Sequence, residues 1–335
     1  MVWRIFPAAA CCIVGCLWSV LAIAEEPLKI SGKTMGSYYA ITIDEPGGAD
    51  AVRLQRDIEQ LLTELNRQMS TWDDSSQISQ FNRLRSTDWF PVDREFATVT
   101  AEALRLHQLT DGALDITLAP LIEAWGFGRN RRPRVPAESE ITAALAEMGP
   151  QHLEIRPDPP AIRKHLPALQ ISLNALAPGF AADSISRLLD ARGLKSHVVD
   201  VGGENLAGAA KRSGDPWRIG VESPLGGLQR VLPLTHMAAA TSGDYRNFRE
   251  INGRRYSHVL NPRTGRPVEN PPATVSVVHP SCMTADGLCT ALMVLGPEAG
   301  LRLAKQVGFD VMFLDLGADG KLIEQSTGRF LEAAK

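Results

Sequence analysis

Cysteine is scarce in this chain of 335 residues: Cys11, Cys12, Cys16, Cys282 and Cys289 are all there is. No two of them stand at a C-x-x-C spacing, which argues against a structural zinc site. A basic excess is also missing. Lys and Arg number 35 against 38 Asp and Glu, a formal charge of −3. A general nucleic-acid binder carries the opposite balance. Neither polar low-complexity tracts nor an internal repeat is evident. With 44% hydrophobic and 22% charged residues, intrinsic disorder is excluded as a description of the whole chain. A dinucleotide fingerprint is absent too, because Gly202-Gly203 lacks the third glycine and the following helix. What remains is a chain long enough for one large domain or two closely packed ones.

The N-terminus predicts export. Arg4 is followed by an uncharged, mostly apolar run from Ile5 to Ala24, and Ala22-Ile23-Ala24 reads as a small-x-small cleavage site. A charged start, an apolar stretch and such a site make a secretory signal peptide over residues 1–24. The run is close to the lower limit of a membrane span, so an uncleaved anchor is one alternative and a lipid-modified Cys16 is another. From Glu25 onward the chain holds 34 basic and 38 acidic residues, a formal −4, and two cysteines. Cys282 and Cys289 are seven apart on a partly helical stretch, so their side chains would lie about 10 Å apart, too far to bridge. Cys289 reads as a small buried apolar residue.

Along the mature chain, patterns of both periods occur. Lys29 to Asp44 reads as a strand, with Tyr39, Ile41 and Ile43 alternating. Ala49–Met69, Arg94–Leu109, Ala137–Met148 and Ala181–Arg192 read as helices, and Ser75–Asn82 as a short one capped by Asp74 or Ser75. Asp111-Gly112 stops the second long helix. Leu169–Leu173, Ser196–Val201, Trp217–Val221 and Thr274–Val278 read as strands, and Ala285–Leu295 and Pro297–Val307 as the last helices. Pro157–Pro160 is a surface turn, and the basic run Asn130–Val135 an exposed loop. Helices and strands mix without a βαβ rhythm, so the fold class is α+β.

Polar residues gather in six places: Thr34–Ser37, Met69–Asn82, Asp111–Gly128, Asn174–Asp183, Val199–Glu204, and a final set from Thr241 through Ser257-His258 and Asn261–Gly265 to Thr290. Taken singly, none is specific. Trp72 and Trp125 suit core or rim packing, and a lone His258 suits a surface or structural role. Asp286 and Thr290 say more, because four residues apart on a helix they share a face. A carboxylate and a hydroxyl placed so can hold a hard cation such as Mg²⁺, and the alternative is that Asp286 caps its helix.

In order along the chain stand Met69-Ser70-Thr71-Trp72, Gly112-Ala113-Leu114-Asp115, Trp125-Gly126-Phe127-Gly128, Gly202-Gly203-Glu204, Ala240-Thr241-Ser242-Gly243, Ser257-His258-Val259-Leu260-Asn261-Pro262-Arg263-Thr264-Gly265 and Ala285-Asp286-Gly287-Leu288-Cys289-Thr290. This combination resembles the ApbE family, the FAD:protein FMN transferases, over nearly all of the mature chain. The Ser-His…Asn-Pro-x-Thr-Gly segment followed by Ala-Asp-x-x-x-Thr carries most of the specificity.

The resemblance implies a single ApbE-like domain over residues 25–335, with a T-fold-related mixed sheet, flanking helices and an FAD site in the cleft between subregions. It implies an exported enzyme, periplasmic and tied to the inner membrane, that takes FAD as substrate and Mg²⁺ as cofactor. Such an enzyme moves FMN onto a Thr or Ser hydroxyl of a flavoprotein and releases AMP. The implied partners are flavoprotein subunits of Na⁺-pumping (Nqr-like), Rnf-type or nitrous-oxide-respiration membrane complexes. Asp286 and Thr290, with the backbone carbonyl of Ala175, would hold Mg²⁺. Met35, Trp72, Ala113, Leu114 and Asp115 would contact FAD, with Trp72 standing where the family often has Tyr. His258 is the candidate base for the acceptor hydroxyl, beside Asp286 as the metal-bearing catalytic residue. Two cofactor positions depart from the family pattern: Ser172 replaces an acid and Pro178 a Lys, and Pro178 has neither charge nor N–H to offer a ligand. Those departures motivate one alternative, a flavin-binding or delivery protein with weak turnover, and an FAD pyrophosphatase giving FMN and AMP is a third reading.

Overall fold

The structure is a computed structural model that describes residues 26–129, 134–244, 248–251 and 253–333. The expected signal segment with its three cysteines and the first four residues of the basic run lie outside the described residues. The scaffold is one eight-stranded sheet: β1 (Leu28–Thr34), β2 (Ser37–Ile43), β3 (His197–Val201), β4 (Glu204–Ala207), β5 (Met237–Gly243), β6 (Thr274–His279), β7 (Asp310–Leu316) and β8 (Leu322–Ser326). Strand order in the sheet follows chain order, and every neighbouring pair is antiparallel. A sheet without parallel pairs agrees with the α+β reading.

The long insertion between β2 and β3 holds α1 (Ala51–Met69), α2 (Gln77–Arg83), α3 (Arg94–Leu109), α4 (Ala119–Ala124), α5 (Glu138–Ala146) and α6 (Ala177–Ala191). After β6 come α7 (Cys282–Val307) and, past β8, α8 (Arg329–Glu332). The α1 helix forms where Asp50 Oδ1 accepts from Arg53 N at 3.0 Å, and it buries Leu54, Ile58, Leu62 and Leu65 at helical spacing. Alternation along the strands builds two cores. Ile41, Val199, Ala240, Val277 and Phe313 face α1, α3, α6 and α7. Their neighbours Ala239, Val278, Met312 and Leu314 face the separate hairpin of Trp217–Glu222 and Leu228–Leu234, with Phe330 of α8 closing that layer. No helix among the described residues is long and apolar enough to cross a membrane.

Several sequence expectations change. Lys29–Asp44 is a hairpin rather than one strand, because Met35 and Gly36 both take left-handed conformations (φ 49° and 73°) that turn β1 into β2. Leu169–Leu173 belongs to no sheet. Its core side chains Leu169, Ile171 and Leu173 are fully buried, but its backbone is served by other groups. Asn82 both donates to Ile171 O and accepts from Ile171 N at 2.8 Å, Lys164 Nζ donates to Leu169 O at 2.9 Å, and Ser172 N donates to Ile116 O at 2.8 Å. The short helix is capped by Ser76, α6 begins earlier, at Ala177, and the last helical stretch begins at Cys282 with Ser281 as cap. That stretch breaks at Gly296 (φ 73°), ahead of Pro297, where the sequence divides it in two. Cys282 and Cys289 are free and buried.

Candidate functional site

Three hollows that share lining residues form one groove. The first, about 590 Å³, lies between the β1–β2 turn and the end of α1, with Met35, Met69, Trp72 and Pro178 in its wall. A second, about 340 Å³, is lined by Trp72, Phe127, Arg129 and Ser172. The third, about 320 Å³, holds Met35, Ala175, Pro178, Glu204, Thr241, His258, Asp286 and Thr290. Trp72 is shared by the first two, and Asn174 by all three.

The third hollow is built by two helices held against each other. Gly179 lets α6 touch α7, since a Cβ there would sit 2.5 Å from the Cys282 carbonyl oxygen. One turn on, Asp183 reaches the start of α7 and accepts from Ser281 Oγ (2.9 Å), Cys282 N (2.8 Å) and Met283 N (3.1 Å). These are donors that a helix N-terminus otherwise leaves without partners. Asp286, on the next turn of α7, accepts from Gly179 N at 3.1 Å. It is therefore inside the helix and not its cap.

The electrostatics of this hollow are unusual. Asp286 is 6% exposed. Burial, and then the nearby Glu204 and Asp183 carboxylates, push its pKa well above the usual carboxylate range against the pull of the Gly179 N–H. Burial also pushes Glu204 up to about 7. Among the described residues, no Lys or Arg lines this hollow. Carboxylates crowded without a cation favour the entry of one. A carboxylate, a hydroxyl at Thr290 and a carbonyl at Ala175 form an all-oxygen set, which suits a hard divalent ion that keeps waters and shares phosphate ligands. No group of three or more His, Cys, Asp or Glu able to hold a metal occurs among the described residues, so the protein's share would be this small oxygen set.

His258 enters the same hollow directly after the strand Arg254–Ser257. Its Nδ1 lies 3.6 Å from Asp244 Oδ1, an electrostatic contact longer than a hydrogen bond. Asp244 also accepts from Ser257 Oγ at 2.5 Å and Arg255 at 3.1 Å. Burial raises its carboxyl, but the His258 and Ser257 contacts and the Arg255 charge outweigh that, leaving its pKa below the ordinary value. An ionised carboxylate behind a histidine orients the ring and stabilises its protonated form. The turn after it, Asn261 to Gly265, is fixed by the other half of the insertion. Gly265 O accepts from the buried Trp125 Nε1 at 2.8 Å, and Arg263 pairs with Asp111 at 2.5 Å. A Cβ on Gly265 would meet Ile141 at 2.7 Å.

The sequence-derived residues therefore divide. Met35, Trp72, Ser172, Ala175, Pro178, His258, Asp286 and Thr290 all line the groove. Trp72 is 57% exposed, an open aromatic face. Ala113, Leu114 and Asp115 are buried and line none of the three hollows. Asp115 Oδ1 accepts from Thr117 N and Oγ1 at 2.7 and 2.6 Å, and burial raises its pKa. Sequence reasoning missed Asp244, Glu204, Asn174 and the clamp at Asp183. Asn174, Asp183 and Glu204 sat in recognised polar motifs, but without an assigned role.

Comparison with known proteins follows the same lines. The family model described as "ApbE family" matches residues 35–313. A protein of Vibrio cholerae named FAD:protein FMN transferase is 40% identical over 323 residues, covering 95% of each chain. The solved structure of flavin transferase ApbE from Vibrio cholerae superposes with a TM-score of 0.84 at 39% identity, covering 92% of this chain and 99% of that one. The apo crystal structure of Pseudomonas stutzeri flavinyl transferase ApbE gives a TM-score of 0.84 at 40% identity, covering 91% and 96%.

Proposed function

Because the chain belongs to the ApbE family, we propose that it is an FAD:protein FMN transferase that moves the FMN half of FAD onto a Thr or Ser hydroxyl and releases AMP. One observation supports the reading most: a single hollow gathers Asp286, Thr290, Ala175 and His258, and it shares Asn174 with the two hollows beside it. The Asp286 carboxylate, the Thr290 hydroxyl and the Ala175 carbonyl would hold Mg²⁺. Bound there, the ion would neutralise the pyrophosphate and stabilise the charge that develops on the departing AMP.

The remaining chemistry belongs to this chain's side chains. His258 takes the proton of the acceptor hydroxyl, with Asp244 behind Nδ1 holding the ring and balancing the imidazolium. The hydroxyl oxygen bonds to the FMN-side phosphorus while the bond to the AMP-side bridging oxygen breaks. A phosphoester to the acceptor forms and AMP leaves with that oxygen. Trp72 and Phe127 offer ring faces along the groove.

The same reading places the enzyme on the exported side, supported by the signal-like residues 1–24, and makes its acceptor a flavoprotein subunit of a membrane electron-transport complex. The test is incubation of the purified protein with FAD, Mg²⁺ and a Thr-containing acceptor domain. Flavin fluorescence that stays on the denatured acceptor, with one AMP per flavin, is expected. Bound FAD without AMP would mark a binding protein, and AMP with free FMN in the absence of acceptor a pyrophosphatase.

A further inference from the structure

The middle of the groove is poor in positive charge. Among the described residues, no Lys or Arg lines the first or the third hollow. In the second, Arg83 and Arg129 are both engaged by Asp74. A helix start often compensates by offering free N–H groups to an anion, but the start of α6 has none to spare. Leu176 N and Ala177 N both donate to Leu173 O at 3.0 Å. Pro178 has no N–H, and Gly179 N is bound to Asp286.

Asn174 stands apart from this. It is exposed in a run where Ser172, Leu173, Leu176 and Ala177 are buried. Among the residues lining the groove it alone lines all three hollows. Its amide makes no hydrogen bond among the described residues, so both N–H donors are available. A ligand with a ring system at each end and a pyrophosphate between them places that pyrophosphate where the hollows meet. We infer that Asn174 is the pyrophosphate-binding residue of this chain, its amide donating to a phosphate oxygen at a point where, among the described residues, neither a cationic side chain nor a helix N–H can. The inference rests on FAD being the ligand, as proposed above.

Two substitutions separate loss of the donor from added repulsion. In calorimetric titration with FAD at saturating Mg²⁺, Asn174→Gly should bind severalfold more weakly than the wild type. Asn174→Asp should bind more than tenfold more weakly, because it turns a donor into an anion facing an anion. Both changes fall on an exposed turn, and unchanged melting temperatures would show that the fold is intact. Wild-type-like FAD affinity in Asn174→Asp overturns the assignment while leaving the functional reading in place. A wild-type protein that does not bind FAD overturns that reading, and the assignment with it.

Discussion

Asp183 touches no part of the groove, yet the geometry of the groove depends on it. Replacing it with Ala removes the acceptor for three donors at the start of α7, two of them backbone N–H groups of the first turn. Each buried donor left without a partner costs about 1–3 kcal/mol. Ser281 and Met283 are only partly buried, so water will reach some of these donors, and the low end gives about 3 kcal/mol in all. For a chain of this size, with an unfolding entropy of about 2.1 cal/mol/K per residue, that corresponds to a fall in melting temperature of roughly 4–5 °C. The aspartate's charge adds little of its own, since burial raises its carboxyl pKa despite the three bonds. Asp183→Asn, which keeps one carbonyl oxygen, should therefore lose less than Asp183→Ala. Because Asp286 and Thr290 ride on α7, the same variant should need more Mg²⁺ for half-maximal activity. Thermal melts followed by circular dichroism, with a Mg²⁺ titration at saturating FAD, read both effects. A shift below about 2 °C with an unchanged Mg²⁺ requirement would refute the clamp.

Other consequences are separable. His258→Gln should lower turnover by about 10²–10⁴-fold, the usual worth of a general base, while FAD affinity measured by calorimetry stays near wild type. Asp244→Asn should lower it less, and a variant with normal turnover at either position would remove the histidine from the mechanism. Lys164 is fully buried on two backbone carbonyls, and burial, aided by the charge of Arg85, lowers its pKa to about 8. In the unfolded chain it stays charged up to about pH 10.4, so between these values the unfolded state binds more protons and stability rises with pH. Urea melts should show the wild type gaining about 2–3 kcal/mol on Lys164→Met between pH 8 and pH 10.5. A constant gap between the two proteins would contradict the low pKa.

Much of this was legible in the sequence where a local pattern decides the structure. The α3 helix has the bounds its periodicity predicts, and α1 differs by two residues at its start. Legibility failed where the partner is distant. Met35 in a left-handed turn has no signature of its own, so a hairpin reads as one strand. The Leu169–Leu173 run looks like a buried strand, but its backbone is served by Asn82 and Ile116, far away in sequence, and by the buried ammonium of Lys164. Met237–Gly243 is rich in Ala, Ser and Gly, poor strand formers, and becomes a central strand because β4 and β6 flank it. The site behaves likewise. Asp286 and Thr290 announce themselves by a helical spacing, whereas Asp244 becomes meaningful only when folding sets it 3.6 Å from His258.

The central claim is that the hollow around Asp286 makes this chain a metal-dependent flavin transferase. Its most direct test is the mass of an acceptor domain incubated with FAD, with and without Mg²⁺, using wild type and Asp286→Ala side by side. The account predicts one FMN added to a single Thr or Ser by the wild type with Mg²⁺, with equal AMP released. It predicts no addition without the metal, and none by Asp286→Ala at any Mg²⁺ concentration. Full flavin transfer by Asp286→Ala would contradict it.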